Sequence, residues 1–504
     1  MISLFQNVIA YKYNDMSHLF YDYRFFEFIK NNIWSPDGLS SYLVRLFVGQ
    51  AGLIPGLNLL AGVHISLNLL CSYLLFNKVA SNRIFASIFS VLYSFSIYFL
   101  FRIISLTPNL YPIFIFPLTF YLLLKKTKPI YLGVFNFFFM YLSSYYVYFN
   151  CILIALWYLL DREYSNLVKF FAPIFIGTIF LFLPYLTTNT YFGKYSETSP
   201  TTVYRPIEDW YNFSFRPWYF ITPPGSSIFF SKLHNNIYSR LQKTGNYLLV
   251  NYSEDEMAGS YMGWHFVIGS MLVFFNIFLN KKDTSESNNK LLKKCFLMLL
   301  GISLISGPPS ITIFGFQIYT PSYLLYYVVP VFRTLSRWAS VIYLLVLVIN
   351  YTLILKIYAG ARTRFLKTAF ILSFVLLNYV VFAIRIPFIN IRDVPEEVTR
   401  FSKLEGKSLV FYPEADYYIL FWSQIFNKEI INPKDTLVEG LQTKDFSAKL
   451  LTGDNTGLFD KSDTRYLIYN KNSDDSAEKR LNELFGPPEN AGNGFYIYSL
   501  SQYQ

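Results

Sequence analysis

The chain has 504 residues, 53% of them hydrophobic, 20% aromatic and only 15% charged, against roughly 25% charged in ordinary soluble domains. The formal net charge is +11, but many of the cations sit in short loops beside apolar runs. That placement excludes a nucleic-acid-binding protein and points to Lys and Arg held on the cytoplasmic side of a membrane. There is no internal repeat, no Walker motif and no metal-ligand spacing. The three cysteines, Cys71, Cys151 and Cys295, lie in or beside apolar segments, so no disulfide framework holds the polar regions.

Met1–Ala10 has no basic n-region and no small-residue cleavage site, so it is not a signal peptide. The stretch is weakly apolar, and two readings stand: a bare start on the outer face, or the end of a lost first helix. The segment that follows, YKYNDMSHLFYDYRFFEFIKNNIWSPDG, is polar and aromatic throughout. On a helix, Asp15, His18 and Asp22 would share one face. One reading is an interfacial helix with a solvated face. The other makes Asp15 a general base, its carboxylate raised in pKa beside lipid and able to accept a proton from a hydroxyl.

A membrane span needs roughly 20 apolar residues. The expected spans lie near 53–76, 84–104, 110–124, 130–144, 145–160, 167–188, 262–280, 294–311, 338–357 and 366–386. The run 130–160 is too long for one helix and short for two, and Ser143 and Ser144 mark a tight hairpin within it. Pro112 and Pro117 interrupt 110–124, which then needs neighbours to satisfy its backbone. His64, mid-span, reads as a packed, hydrogen-bonded histidine. The basic loops Asn77–Arg83, Lys125–Lys128, Asp161–Lys169, Lys281–Lys294 and Lys356–Lys367 all fall on one side with this count. Residues 1–52, 189–261, 312–320 and 387–504 fall on the other. The expected setting is a bacterial-type inner (plasma) membrane, crossed many times, with these regions on the outer face.

The outer loop 189–261 places Arg205, Glu208, Asp209 and Arg216 among Trp210, Trp218 and several Tyr. Rings that stack on sugar faces, beside charged groups that bind hydroxyls and phosphate, make a sugar site. The alternative is an interfacial loop with its rings at headgroup depth. Further on, Gly307, Pro308 and Pro309 end a helix, and Tyr323 to Arg337 reads as a re-entrant or surface helix on the outer side. Arg333 and Arg337 are four apart and would point the same way, suiting a lipid phosphate or diphosphate. Snorkelling to headgroups is the alternative. The tail, 387–504, is expected to form an extracytoplasmic α/β domain. Its strand-like runs are Ser408–Pro413, Glu429–Pro433, Arg465–Asn470 and Gly494–Leu500, with a helix over Ala477–Gly486 that stops before Pro487.

In their order, Asn14-Asp15 followed by SPDGLSSYL, the loop EDWYNFS…PWYFITPP…GSYMGW, the segment PSYLLYYVVPVFRTLSRW and the tail TRYLIYN…NELFG…GFYIYSL resemble the GT-C superfamily of polytopic membrane glycosyltransferases, in particular its YfhO-like bacterial branch. The resemblance implies a mostly α transmembrane bundle over 1–386 with the α/β domain behind it. It also implies sugar transfer from a polyprenyl-phosphate donor on the outer face, with a first-loop Asp, here Asp15, as base. No D-x-D pair occurs in the first loop, so no divalent metal or other cofactor is expected.

The leading expectation is an inverting glycosyltransferase. Its partners would be a polyprenyl-phosphate-linked sugar, a cell-envelope acceptor (glycan, lipid or protein) and the membrane lipids. The rivals are a lipid-linked glycan transporter or flippase, and a non-catalytic envelope membrane protein that binds glycan. A transporter would carry charged residues inside several spans. Few are found there, with Arg102 and Arg385 near outer ends.

Overall fold

The computed structural model describes residues 8–10, 38–104, 107–188, 207–243, 259–279, 286–313, 316–328, 334–385, 389–391, 394–413, 419, 428–430, 450–452, 464–472, 474 and 476–500. It is a helical bundle followed by a small sheet. Strand β1 (Val8–Ala10) pairs antiparallel with a strand at Ile389–Ile391. The rest of Met1–Ala10, for which the sequence left two readings open, lies outside the described residues. Helix α1 (Gly38–Ala51) then packs on α2 (Leu53–Val79). The close approach is made at Gly56, where an added methyl would meet the main chain of Phe47 and Val48. Helix α3 (Arg83–Ser94) starts at Asn82, whose side chain accepts from the Phe85 amide at 3.2 Å, an N-cap of the expected type. It bends by 45° into α4 (Ile97–Ile104).

The proline-interrupted segment becomes a 3-10 turn, Pro108–Leu110, and α5 (Ile115–Leu124). The expected hairpin is there: α6 (Pro129–Phe139) ends and α7 (Ser144–Leu160) begins at Ser143, whose hydroxyl caps the Tyr146 amide. A buried polar chain ties these three helices. Asn150 donates to Thr119 at 2.8 Å and to Asn136 at 2.6 Å, and Asn136 donates to the Leu132 carbonyl. Polar side chains hold helices together in this way where lipid offers no hydrophobic drive. Helix α8 (Tyr164–Thr188) lies against α6 at Gly133, where a methyl would run into the Phe170 carbonyl oxygen. Main chain cannot give way there. Gly133→Val is therefore expected to lower stability by about 1–3 kcal/mol through overpacking. Gly360→Ala, with nothing within 4 Å, should be nearly neutral. Thermal unfolding in detergent compares the two, and equal melting temperatures would refute the close contact.

The loop region contributes α9 (Ile207–Asn212), a 3-10 turn at Pro217–Phe220 and α10 (Ser231–Lys243). The bundle resumes with α11 (Trp264–Leu279) and α12 (Glu286–Ser306). A hairpin of β2 (Ser310–Ile313) and β3 (Phe316–Tyr319) and the short helix α13 (Pro321–Val328) follow, and a 3-10 turn, Leu335–Trp338, runs into α14 (Ala339–Gly360). Residues Ala339 to Tyr351 of α14 are all buried, as expected of a helix apolar all round. It is the centre of the bundle. Asn350 on α14 donates to Phe266 and Ser270 on α11. By contrast α15 (Arg364–Phe382) is mostly exposed along its apolar length, as a lipid-facing helix would be.

Among the described residues, three helices are long and apolar enough to cross a membrane: Pro55–Val79, Leu335–Gly360 and Arg364–Phe382. The bent pair Arg83–Ser94 and Ile97–Ile103 makes a fourth if taken as one span. The other expected spans are apolar helices that are shorter, broken or start in polar sequence. The architecture is that of an integral membrane protein built from helices.

Contacts sort the helix ends into two groups. At one end the Leu39 and Ser40 amides donate to Tyr141, Phe215 to Ser306, Ser336 to Phe213, Met262 to Phe220 and Ile228 to Ala383. At the other, Lys294 is ion-paired with Asp161 and lies 3.4 Å from the centre of the Trp157 ring. There too the Tyr351 hydroxyl donates to Ala80, and the Phe85 ring meets Tyr358. The first set joins segments expected on the outer face, and the second joins segments beside the basic loops.

After β4 (Ile389–Ile391) and α16 (Glu396–Lys403), a five-stranded sheet forms from β5 (Ser408–Tyr412), β6 (Glu429–Ile430), β7 (Thr464–Asn470), β8 (Glu489–Gly492) and β9 (Phe495–Ser499), with α17 (Glu478–Phe485) before β8. The strand order is β6-β5-β7-β9-β8, parallel across β6, β5 and β7 and antiparallel across β7, β9 and β8. Leu481 and Phe485 of α17 pack with Tyr498, and Gly486 at φ +80° ends the helix.

Candidate functional site

The first turn of α7 is where charge gathers. Arg102 sits in the last turn of α4, one turn after Tyr98, so its guanidinium lies over the Tyr98 ring, 4.8 Å from the centroid. The Tyr98 and Tyr146 hydroxyls are 3.0 Å apart, and Tyr146 donates on to the Leu110 carbonyl at 2.7 Å. From the other side comes Arg337, in the 3-10 turn before α14. Its neighbour Trp338 is stacked on Phe149 of α7 with centroids 4.1 Å apart, which pins the turn. Arg337 is then laid over the Tyr145 ring at 4.6 Å, while the Tyr145 hydroxyl receives the Thr334 amide at 3.4 Å. Arg102, by way of Tyr98 and its contact with the Tyr146 hydroxyl, and Arg337, over Tyr145, are thus tied to adjacent positions of the α7 first turn. Each cation gains a cation–π contact, and the α7 N-terminus adds partial positive charge. The arrangement favours an anion.

Arg102 is buried, with 4% of its surface exposed, and Arg337 is half-buried. Two delocalised cations at such depth suit phosphate oxygens, because the planar fork bonds them in pairs. The structure differs from the sequence reading at one point. Arg337 lies in a 3-10 turn, not in an α-helix, so a four-residue helical spacing does not set its direction. Its partner cation among the described residues is Arg102. Sequence reasoning placed Arg102 near an outer end without giving it a role. The usable signal was an ionisable residue in an apolar span with a tyrosine four before it.

The other expected site residues are distributed as follows. Asp15, Arg205 and Arg333 lie outside the described residues. Glu208 is exposed on α9. Asp209 is on the same helix, with only its backbone described. Trp210 is fully buried, its ring edge-on to Tyr326 at 5.7 Å. Arg216, 1% exposed, donates to the carbonyls of Ser214 and Tyr211 at 2.8 Å each and to the Ser214 hydroxyl. In this arrangement Trp210 is a packing residue and Arg216 closes a turn. The charge of Arg216 is turned inward because the loop has carbonyls to satisfy there. Trp218 is partly buried beside Tyr219, and its carbonyl accepts from Thr222.

Among the described residues, no group of three His, Cys, Asp or Glu is placed to hold a metal ion. His64 is packed as expected, its Nδ1 2.9 Å from the Leu60 carbonyl and its ring edge-on to Tyr111.

No family model and no curated protein matches the chain. Among solved structures it is similar to the crystal structure of ArnT from Cupriavidus metallidurans bound to undecaprenyl phosphate. That likeness has 8% sequence identity and a TM-score of 0.41, and covers 99% of this chain and 95% of that one.

Proposed function

We propose that the protein is a membrane glycosyltransferase that moves a sugar from a polyprenyl-phosphate donor to a cell-envelope acceptor on the outer face of the inner membrane. The observation that carries this reading is the placing of Arg337 over Tyr145, and of Arg102 through Tyr98 beside Tyr146, at the first turn of α7, the end of the bundle that the charge pattern assigns to the outer face. In this reading the guanidiniums hold the donor phosphate. Charge grows on that phosphate as the sugar leaves, so fixed cations favour the transition state over the bound donor. Asp15 takes the proton of the acceptor hydroxyl as it attacks the anomeric carbon, and the configuration there inverts. The loop 189–261, with Arg205, Glu208, Asp209 and Trp218, holds the sugar or the acceptor, and 387–504 stands outside the membrane as a separate unit. The sequence resemblance to GT-C enzymes supports the same assignment.

The test is transfer of labelled sugar from polyprenyl phosphate by the purified chain in proteoliposomes. Transfer is the expected result. Movement of lipid-linked glycan between leaflets without transfer would replace the enzyme by a transporter. Sidedness is checked separately: Asn235→Cys, at an exposed position of α10, and Ser473→Cys should both be labelled by an impermeant reagent from outside. Labelling of one alone would break the span count.

A further inference from the structure

The hairpin β2–β3 and helix α13 turn an apolar face outward. Phe316 is 76% exposed, Leu324 69%, Tyr327 67% and Val328 75%. The helix buries its small polar side instead, at Ser322, together with Tyr326. A surface helix in water does the reverse. From Ser310 to Phe332 the sequence contains no Asp, Glu, Lys or Arg.

We propose that β2, β3 and α13 form an interfacial anchor whose occupant is the lipid of the outer leaflet. Three observations favour lipid over any other partner. Helix α12, which is in contact with α13 and ends just before the hairpin, exposes apolar side chains of its own at Leu297, Leu300 and Leu304. The backbone satisfies itself, as it must away from water: four residue pairs are in register from Ser310↔Tyr319 to Ile313↔Phe316. In addition the Thr320 amide and hydroxyl donate back to Pro309 and Pro308. Finally, Tyr319, Tyr323 and Tyr327 form a ladder, with centroids 4.4 and 5.1 Å apart and the Tyr323 and Tyr327 hydroxyls 2.9 Å apart. Such rings suit the headgroup layer, apolar on one side and wet on the other. The anchor is fixed to the bundle through Tyr211, whose hydroxyl is 2.5 Å from that of Ser310, and through Tyr326 against Trp210. This inference needs the bundle to sit in a membrane but not the transfer chemistry, so it can fail or hold independently of the proposed function.

Spin labels at Phe316→Cys, Leu324→Cys and Val328→Cys test it in the full chain, with the three native cysteines replaced by Ala, in liposomes of phosphatidylethanolamine and phosphatidylglycerol. Collision with oxygen should exceed collision with a water-soluble nickel chelate at all three. The order should be reversed at Lys479→Cys on the exposed side of α17. The melting temperature and far-UV circular dichroism of each labelled variant should match those of the unlabelled chain, confirming that the fold is retained. Nickel-dominated collision at Leu324 and Val328 would overturn the anchor. So would dipolar broadening between labels, which would mean a second copy covers the face. Shielding that requires added envelope glycan would give the face to a sugar ligand and also overturn the lipid assignment.

Discussion

Asp15→Asn is expected to lower the rate of sugar transfer by about 10²–10⁴-fold, the usual contribution of a general base. Asn keeps the size and hydrogen bonding of Asp but cannot take the proton from the acceptor hydroxyl. The loss should therefore fall on kcat, with donor binding and thermal unfolding close to wild type. Asp22→Asn, two turns along the same proposed helical face, is the control and should be much milder. The measurement is single-turnover transfer of labelled sugar from polyprenyl phosphate. Wild-type rates in Asp15→Asn would remove Asp15 as the base. Equal losses in both variants would make the segment a structural element.

Arg337→Ala is expected to weaken binding of the donor lipid by about 10- to 150-fold, the equivalent of losing a charge-assisted hydrogen bond at about 1.5–3 kcal/mol. Arg102→Ala should do the same, because in the proposed site both cations flank the first turn of α7, Arg102 through Tyr98 and Arg337 over Tyr145. Arg337→Lys should recover only part of the affinity: lysine restores the charge but not the planar fork, and an ammonium stacks less well on the Tyr145 ring. Titration with a short-chain polyprenyl-phosphate sugar reads all three. If the Arg102/Arg337 double variant binds like wild type, the cluster is a structural device of the bundle and the phosphate lies elsewhere.

Most of the helical plan was legible because lipid imposes it. Each expected apolar segment contains a helix, and the caps at Asn82, Ser143 and Thr363 are residues whose side chains accept from the following turn. Helix α1 was missed. It has only 14 residues, with Arg45 in their midst, so neither span length nor an uninterrupted apolar run marks it, and its stability comes from packing on α2. Strand β8 was missed because Glu-Asn-Ala-Gly has no β-forming residue. It is an edge strand, held by pairing with β9. A signal was nevertheless present in Asn493-Gly494, both with positive φ, the usual pair for a tight hairpin.

The site was less legible than the fold. That Arg337 faces one tyrosine of the α7 first turn, and Arg102 reaches the other through Tyr98, depends on how four separate helices and turns meet. No periodicity within one segment encodes that. The loop 189–261 stood out by its mix of rings and charges. In Trp210 and Arg216, however, the residue types that suit a sugar site also serve to fill a core and close a turn, and composition does not distinguish the two.

The break between α3 and α4 gives Arg102 a mechanical setting. Helix α3 is locked to the centre of the bundle, with Phe89 edge-on to Tyr351 at 5.1 Å, whereas α4 is an eight-residue arm jointed at Phe95 and Ser96. Arg102 lies about 9 Å beyond that joint, so the 45° bend sets it roughly 6 Å from where a straight continuation of α3 would carry it. The break, and not the run of α3, decides that this guanidinium ends beside the tyrosines of α7.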